Sequence, residues 1–284
     1  MAIPRSRFRE HIGPNACRCL LTLLAYAGLL GGCAGGDFDR AARLGFASPA
    51  VMGDDTPFVA MARWGGQGVL TVYVEGDGRA WSLGAPPENP TPRVPVALEL
   101  ALADRASPLL YLGRPCQFMA WRADVCMPRL WSDERFSPAV VAAMDGAVTQ
   151  ALRRSGARAL VLVGYSGGAA VAALLALRHP ETALLITVAG IVDHAAWTGL
   201  HGVAPLRGSL NAADQIAALA RIPQVHVVGT ADEIAPPSLT ASLLARYPPT
   251  SPAAIETTPN RHDCCWQQGW SVRIDAFRGH LGPP

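Results

Sequence analysis

Short apolar runs alternate with longer stretches whose apolar positions recur at helical spacing, from Phe58 almost to the C-terminus. Residues 69–74 form the first clear strand, which Glu75-Gly76-Asp77-Gly78 ends. The pattern then predicts a helix over 95–106, a buried strand over 109–112 and an amphipathic helix over 137–155. Ser137 stands at the N-cap position of that last helix and Pro138 in its first turn. Further strands are predicted over 160–163, 183–188, 224–228 and 253–257, with helices over 211–221, 238–246 and 266–277. Alternation of this kind predicts an α/β domain, a mostly parallel sheet with helices on both faces.

One junction in this pattern carries chemistry. The apolar run before Gly164-Tyr165-Ser166-Gly167-Gly168 passes at once into an alanine-rich helical stretch. This is G-x-S-x-G between a strand and a helix, the setting in which a sharp turn pushes a serine out at the top of a sheet. Gly164 and Gly168 lack the Cβ atoms that would collide in such a turn, and Gly167 lets the backbone approach a reacting carbonyl. An exposed serine needs a base and a group that orients the base. The strand over 224–228 runs into Gly229-Thr230-Ala231-Asp232-Glu233-Ile234, which places Asp232 at a loop tip, and His262 lies just beyond the last strand. Asp193 is a rival acid after the strand over 183–188, and His226 reads as a core histidine inside a strand.

The order Ser166, Asp232, His262, each at the carboxyl end of a strand, resembles the α/β-hydrolases. The resemblance runs from Phe58 to the C-terminus and is closer still to bacterial α/β-hydrolase lipoproteins with E-G-D-G, R-P-C, G-Y-S-G-G and H-x-C-C-W segments. It implies an α/β-hydrolase fold with a minimal cap after Ile191. It further implies a serine hydrolase that cleaves an ester or thioester of a small-molecule acyl substrate through Ser166, His262 and Asp232, with no cofactor and no metal. Gly167 supplies one oxyanion N–H, and the other comes from Gly76 or Asp77, where relatives carry His-Gly and this chain carries Glu75. The alternatives are an acyltransferase on the same fold and a catalytically silent binding module.

Composition narrows the setting. All 24 basic residues are arginine, and 22 residues are acidic. Arg5, Arg7, Arg9 and Arg18 precede an apolar stretch over 20–30, too short for a stable membrane span, which reads as an export signal. Leu30-Gly31-Gly32-Cys33 resembles a bacterial lipobox, which makes Cys33 the lipidated N-terminus. Residues 1–32 are then the signal peptide, 33–57 the lipidated cysteine with its tether, and 58–284 the hydrolase domain. Membrane attachment is through the lipid, in the cell envelope, with Ala34 favouring the periplasmic face of the outer membrane. With four arginines and Glu10 removed, the mature chain holds 20 basic and 21 acidic residues, and no basic run points to nucleic acid.

Four cysteines remain in that compartment, Cys116, Cys126, Cys264 and Cys265. Cys116 with Cys126 would close a short loop and leave Cys264 and Cys265 as a vicinal pair or free thiols. A cross-link from the first pair to the loop of His262 is the alternative. No C-x-x-C spacing suggests zinc.

The lipobox generates a first prediction. Cys33→Ala should leave the precursor uncleaved and unlabelled by metabolic palmitate, because the acyl chains are the anchor. Normal processing with palmitate incorporation would overturn the assignment.

Overall fold

Strands with no polar face must be covered on both sides. The computed structural model, which describes residues 34–47, 50–53, 55–66, 68–81, 84–120, 124–279 and 281, puts such strands at the centre of its sheet. They are β3 (Val69–Val74), β5 (Ala159–Tyr165) and β6 (Thr182–Val188), buried along most of their lengths. β1 (Ala50–Met52), β2 (Phe58–Arg63), β4 (Leu109–Leu112), β7 (Gln224–Gly229) and β8 (Ala253–Thr258) complete eight strands in the order β1-β2-β4-β3-β5-β6-β7-β8. β1–β2 and β2–β4 are antiparallel, and every other neighbouring pair is parallel.

The helices are α1 (Ala34–Arg43), α2 (Val96–Ala103), α3 (Pro138–Ser155), α4 (Gly168–Ala176), α5 (His194–His201), α6 (Ile216–Leu219), α7 (Pro237–Leu244) and α8 (Trp270–Gly279). α3 starts as its sequence requires, with the Ser137 side chain accepting from the Val140 N–H and Pro138 in the first turn, and it stops at Gly156 in a left-handed conformation (φ 65°). α4 is buried along its whole length, which its run of Gly, Ala, Val and Leu permits. α2 packs with α8, and α3 packs with α4. Strand order reverses at β3, which has β4 on one side and β5 on the other. The carboxyl ends of β3 and β5 therefore flank the crevice where open α/β sheets bind ligands.

The structure corrects the reading in three places. The tether expected over 33–57 is too long, because the folded unit begins at Ala41. Ala41 and Phe46 are buried, Arg63 stacks over the Phe46 ring at 5.0 Å, and β1 adds to the sheet beside β2. A three-residue strand is too short to leave a period in the sequence. The helix expected over 211–221 is a 3₁₀ turn, Ala212–Gln215, followed by the single turn of α6. β2 precedes the first strand that the pattern made clear, as a strand the pattern did not separate from the apolar runs around it. The signal peptide and Cys33 lie outside the described residues.

A buried ion pair fixes the C-terminal helix to β3. Asp104, fully buried, pairs with Arg278 of α8 and accepts from Tyr73 Oη of β3 at 2.7 Å. Arg278 also donates to Thr71 Oγ1 at 2.7 Å, and Trp270 Nε1 donates to Tyr73 Oη at 2.9 Å. Burial pushes the Asp104 carboxyl up, but its bonds to Arg278 outweigh this, and its pKa lies below the ordinary value. A carboxylate depressed on folding gives stability that is complete above the unfolded value of about 3.9 and fades as pH falls through the folded value. Asp104→Asn should cost about 3 kcal/mol at neutral pH by leaving Arg278 without its counter-charge. Urea midpoints of the two proteins should converge as pH falls through the depressed folded value of Asp104, and equal midpoints at pH 7 would refute the account.

Candidate active site

Ser166 occupies the turn between β5 and α4 with φ 51°, a left-handed conformation uncommon for a residue with a side chain. Backbone bonds hold it there: its N–H donates to Val188 O, and its carbonyl accepts from Ala169 and Ile191 N–H, each at 3.0 Å. A Cβ on Gly164 would come within 2.7 Å of the Ala169 backbone N, and one on Gly168 would strike the Val74 and Glu75 carbonyls. The strand, the helix and the end of β3 thus close around the serine only with glycine at both positions.

Three side chains named from the sequence come together here. Ser166 Oγ lies 3.0 Å from His262 Nε2, and His262 Nδ1 lies 2.9 Å from Asp232 Oδ2. Asp232 follows β7, where its other oxygen accepts from the Ile234 and Ala235 N–H groups, both at 2.8 Å. Burial raises the Asp232 carboxyl, but the hydrogen bond and charge of His262 and the two amides outweigh it, so its pKa is lowered. The His262 carbonyl accepts from Tyr165 Oη and Trp266 Nε1, each at 2.8 Å. The rings of Tyr165 and His262 also lie 5.5 Å apart. Burial, with the charge of Glu75 next, holds the Tyr165 phenol well above its usual range.

The rivals are engaged elsewhere. Asp193 caps α5 through the Ala195 and Ala196 N–H groups and pairs with Arg246 at 2.8 Å. His226 is buried with Nδ1 on Thr187 Oγ1 at 2.8 Å, and burial pulls its pKa down to about 4. Cys116 is bonded to Cys126 (S–S 2.12 Å) and Cys264 to Cys265, so no disulfide links the first pair to the histidine loop. Among the described residues no group of His, Cys, Asp and Glu could hold a metal ion.

The turn after β3 is built from buried charge. Glu75, 1% exposed, accepts from its neighbour Gly76 N–H at 2.9 Å, Ala97 and Leu98 N–H at 3.2 Å and Tyr111 Oη at 3.0 Å. It thereby caps the start of α2, whose N-cap residue Pro95 offers no side chain for the purpose. Burial raises the Glu75 pKa against these donors. The Gly76 N–H is thus already occupied, which removes Gly76 from the two oxyanion donors expected here and leaves Asp77. Gln117 Nε2 donates to Gly76 O at 3.0 Å, which turns the Asp77 N–H of the same planar peptide the opposite way. Asp77 Oδ1 and Oδ2 pair with Arg114 at 2.8 Å and Arg135 at 2.7 Å, and these guanidiniums lower its pKa although burial alone would raise it. Arg114 sits in the R-P-C segment read from the sequence, whereas Arg135, in an irregular stretch, left no signal.

A cleft of about 480 Å³ opens over Ser166 and His262, with Gly76, Asp77, Tyr165, Ile191, Trp197 and Ile234 in its walls. Residues 140–264, which hold Ser166, Asp232 and His262, match the family model described as Serine hydrolase (FSH1). The chain is a serine hydrolase. The hydrolase has the α/β-hydrolase fold, as its likeness to solved structures shows. The Pyrococcus furiosus esterase Pf2001 aligns with TM-score 0.60 at 11% identity over 85% of this chain and 93% of its own. Est1E from Butyrivibrio proteoclasticus aligns with TM-score 0.56 at 11% identity, over 83% and 99%. TT1662 from Thermus thermophilus gives 0.52 at 17% identity, over 84% and 100%. No curated protein sequence matches the hydrolase.

Gly167 offers a sharp test of the turn, because a Cβ there would run into the Asp77 carboxyl group. Gly167→Ala should push the Gly76–Asp77 turn away from the serine and cut kcat for a p-nitrophenyl ester by about 100-fold, the scale of one lost oxyanion donor. The near-UV circular dichroism should stay native. Unchanged kcat would mean that the turn has room to spare.

Proposed function

We propose that the hydrolase is an esterase whose nucleophile is Ser166, whose base is His262 and whose orienting acid is Asp232. The observation that carries this is the unbroken relay from Ser166 Oγ through both ring nitrogens of His262 to Asp232. His262 Nε2 takes the serine proton as Oγ attacks the acyl carbon, and the imidazolium returns it to the leaving oxygen. Asp232 keeps the Nδ1 proton in place and stabilises the imidazolium. The N–H groups of Gly167 and Asp77, for which the described residues provide no acceptor, receive the developing oxyanion. Water entering the open cleft then releases the acid by the same proton path in reverse. The ester reading is supported by a fold neighbour described as an esterase, Pf2001 of Pyrococcus furiosus. The proposal includes attachment to the cell envelope through lipid on Cys33, which rests on the sequence of the signal.

A fluorophosphonate should modify Ser166 alone, and Ser166→Ala should abolish labelling. Asp232→Asn should lower kcat by about 10⁴-fold through the wrong imidazole tautomer. Asp193→Asn, acting at the α5 cap, should lower stability and have little effect on kcat. Labelled-peptide mass spectrometry and steady-state rates check both. A larger kcat loss at Asp193 than at Asp232 would displace Asp232 from the role.

A further inference from the structure

The cleft over Ser166 has two chemically different walls. On the His262 side, Ile234 follows Asp232, and Trp197 Nε1 donates to the Ile234 carbonyl at 2.8 Å. Ile191 packs in the same apolar cluster with Trp197. The opposite wall comes from the segment after Asp77. There the Arg79 N–H donates to Pro90 O at 2.9 Å, which lays Arg79 beside the stretch that carries Pro92, Arg93 and Val94. Arg79 is half-buried and Arg93 exposed, both line the cleft, and among the described residues neither guanidinium has a hydrogen-bonded or ionic partner. Trp81 and Val94, 61% and 52% exposed, stand beside them.

The acids in the cleft do not cancel these two charges. Glu75 is consumed by four donors, and Asp77 is shared between Arg114 and Arg135. Asp263 is exposed but lies on the histidine loop, on the other side. Proton transfer fixes which part of an ester meets which wall. His262 must protonate the leaving oxygen, so the leaving group lies over His262 and the apolar wall, and the acyl chain points toward Arg79 and Arg93.

We propose that the acyl group of the preferred substrate carries a carboxylate or similar anion, held by Arg79 and Arg93, while the leaving group is apolar. This inference rests on the assignment of Ser166 and His262 made above. Two partly exposed guanidiniums acting on one anion should give a preference of about tenfold over a neutral acyl chain. Because such pairs are screened, the preference should shrink as ionic strength rises above the 0.1 M range.

The test compares mono-4-methylumbelliferyl adipate with its neutral methyl-capped diester on the purified full-length protein. The ratio of the two kcat/KM values should be about ten in the wild type and fall to about one in Arg79→Gln/Arg93→Gln. Both esters are measured on the same enzyme preparation, so a partial loss of folded protein cancels from the ratio. Arg105→Gln/Arg221→Gln, which removes two arginines outside the cleft, should keep the wild-type ratio. Moving the carboxylate to the leaving group of a hexanoate ester should bring no gain, with Asp263 opposing it. A wild-type ratio of one or less, a ratio that survives loss of both cleft arginines, or a gain only on the leaving-group side would overturn the proposal. If turnover depends on Ser166 and the ratio is one, the anionic acyl group alone is refuted. If Ser166→Ala turns over both esters as well as wild type, the assignment of Ser166 fails and this inference fails with it.

Discussion

The backbone at Ser166 holds a conformation that costs about 1 kcal/mol or more for a residue with a side chain, and the contact of Ser166 with His262 depends on its being held there. The opposing contribution comes from three backbone hydrogen bonds at 3.0 Å and from the close approach of α4 to β3 and β5. That approach is available only because Gly164 and Gly168 present no Cβ to the facing backbone. The surrounding sheet and helix are almost wholly apolar and buried, so they cannot relax the turn without opening the core.

Charge enters this apolar centre in a controlled way. Glu75 has four donors around it, and Asp77 has two guanidiniums, which meets the general condition that a buried charge be paired or fully hydrogen-bonded. Both carboxylates fix backbone: Glu75 holds Gly76 and the start of α2, and Asp77 ties the end of β3 to Arg114 and Arg135. The turn facing Ser166 is thus immobilised by electrostatics, while the turn that carries Ser166 is immobilised by packing. Two independent physical means set the two sides of one gap.

The core parallel strands were legible because a strand buried on both faces writes a continuous apolar run, and the elbow was legible because only glycine fits where Gly164 and Gly168 stand. Asp232 and His262 could be found because they follow strands that were themselves clear. β1 and the single-turn α6 were not, since neither is long enough to show a period, and β2 passed as one more apolar run before the first clear strand. The occupation of the Gly76 N–H depends on a carboxylate folding back onto its own neighbour, a contact that no spacing encodes. Arg135 reaches Asp77 across 58 positions of sequence from a stretch without regular structure, and residue type alone gives no hint of that pairing.

Tyr165 fills the variable position of G-x-S-x-G, yet it is not a free position in this chain. It precedes Ser166 on the backbone, and its hydroxyl grips the carbonyl of His262 while its ring lies against the imidazole. Any displacement of the elbow is therefore passed directly to the loop of His262, by a path that does not run through the strands between them. When the sheet twists or breathes, Ser166 and His262 are carried together, and the 3.0 Å gap between them is shielded from the deformation. A change at 165 that drops the hydroxyl would leave the His262 carbonyl to Trp266 alone and remove its direct tie to the elbow.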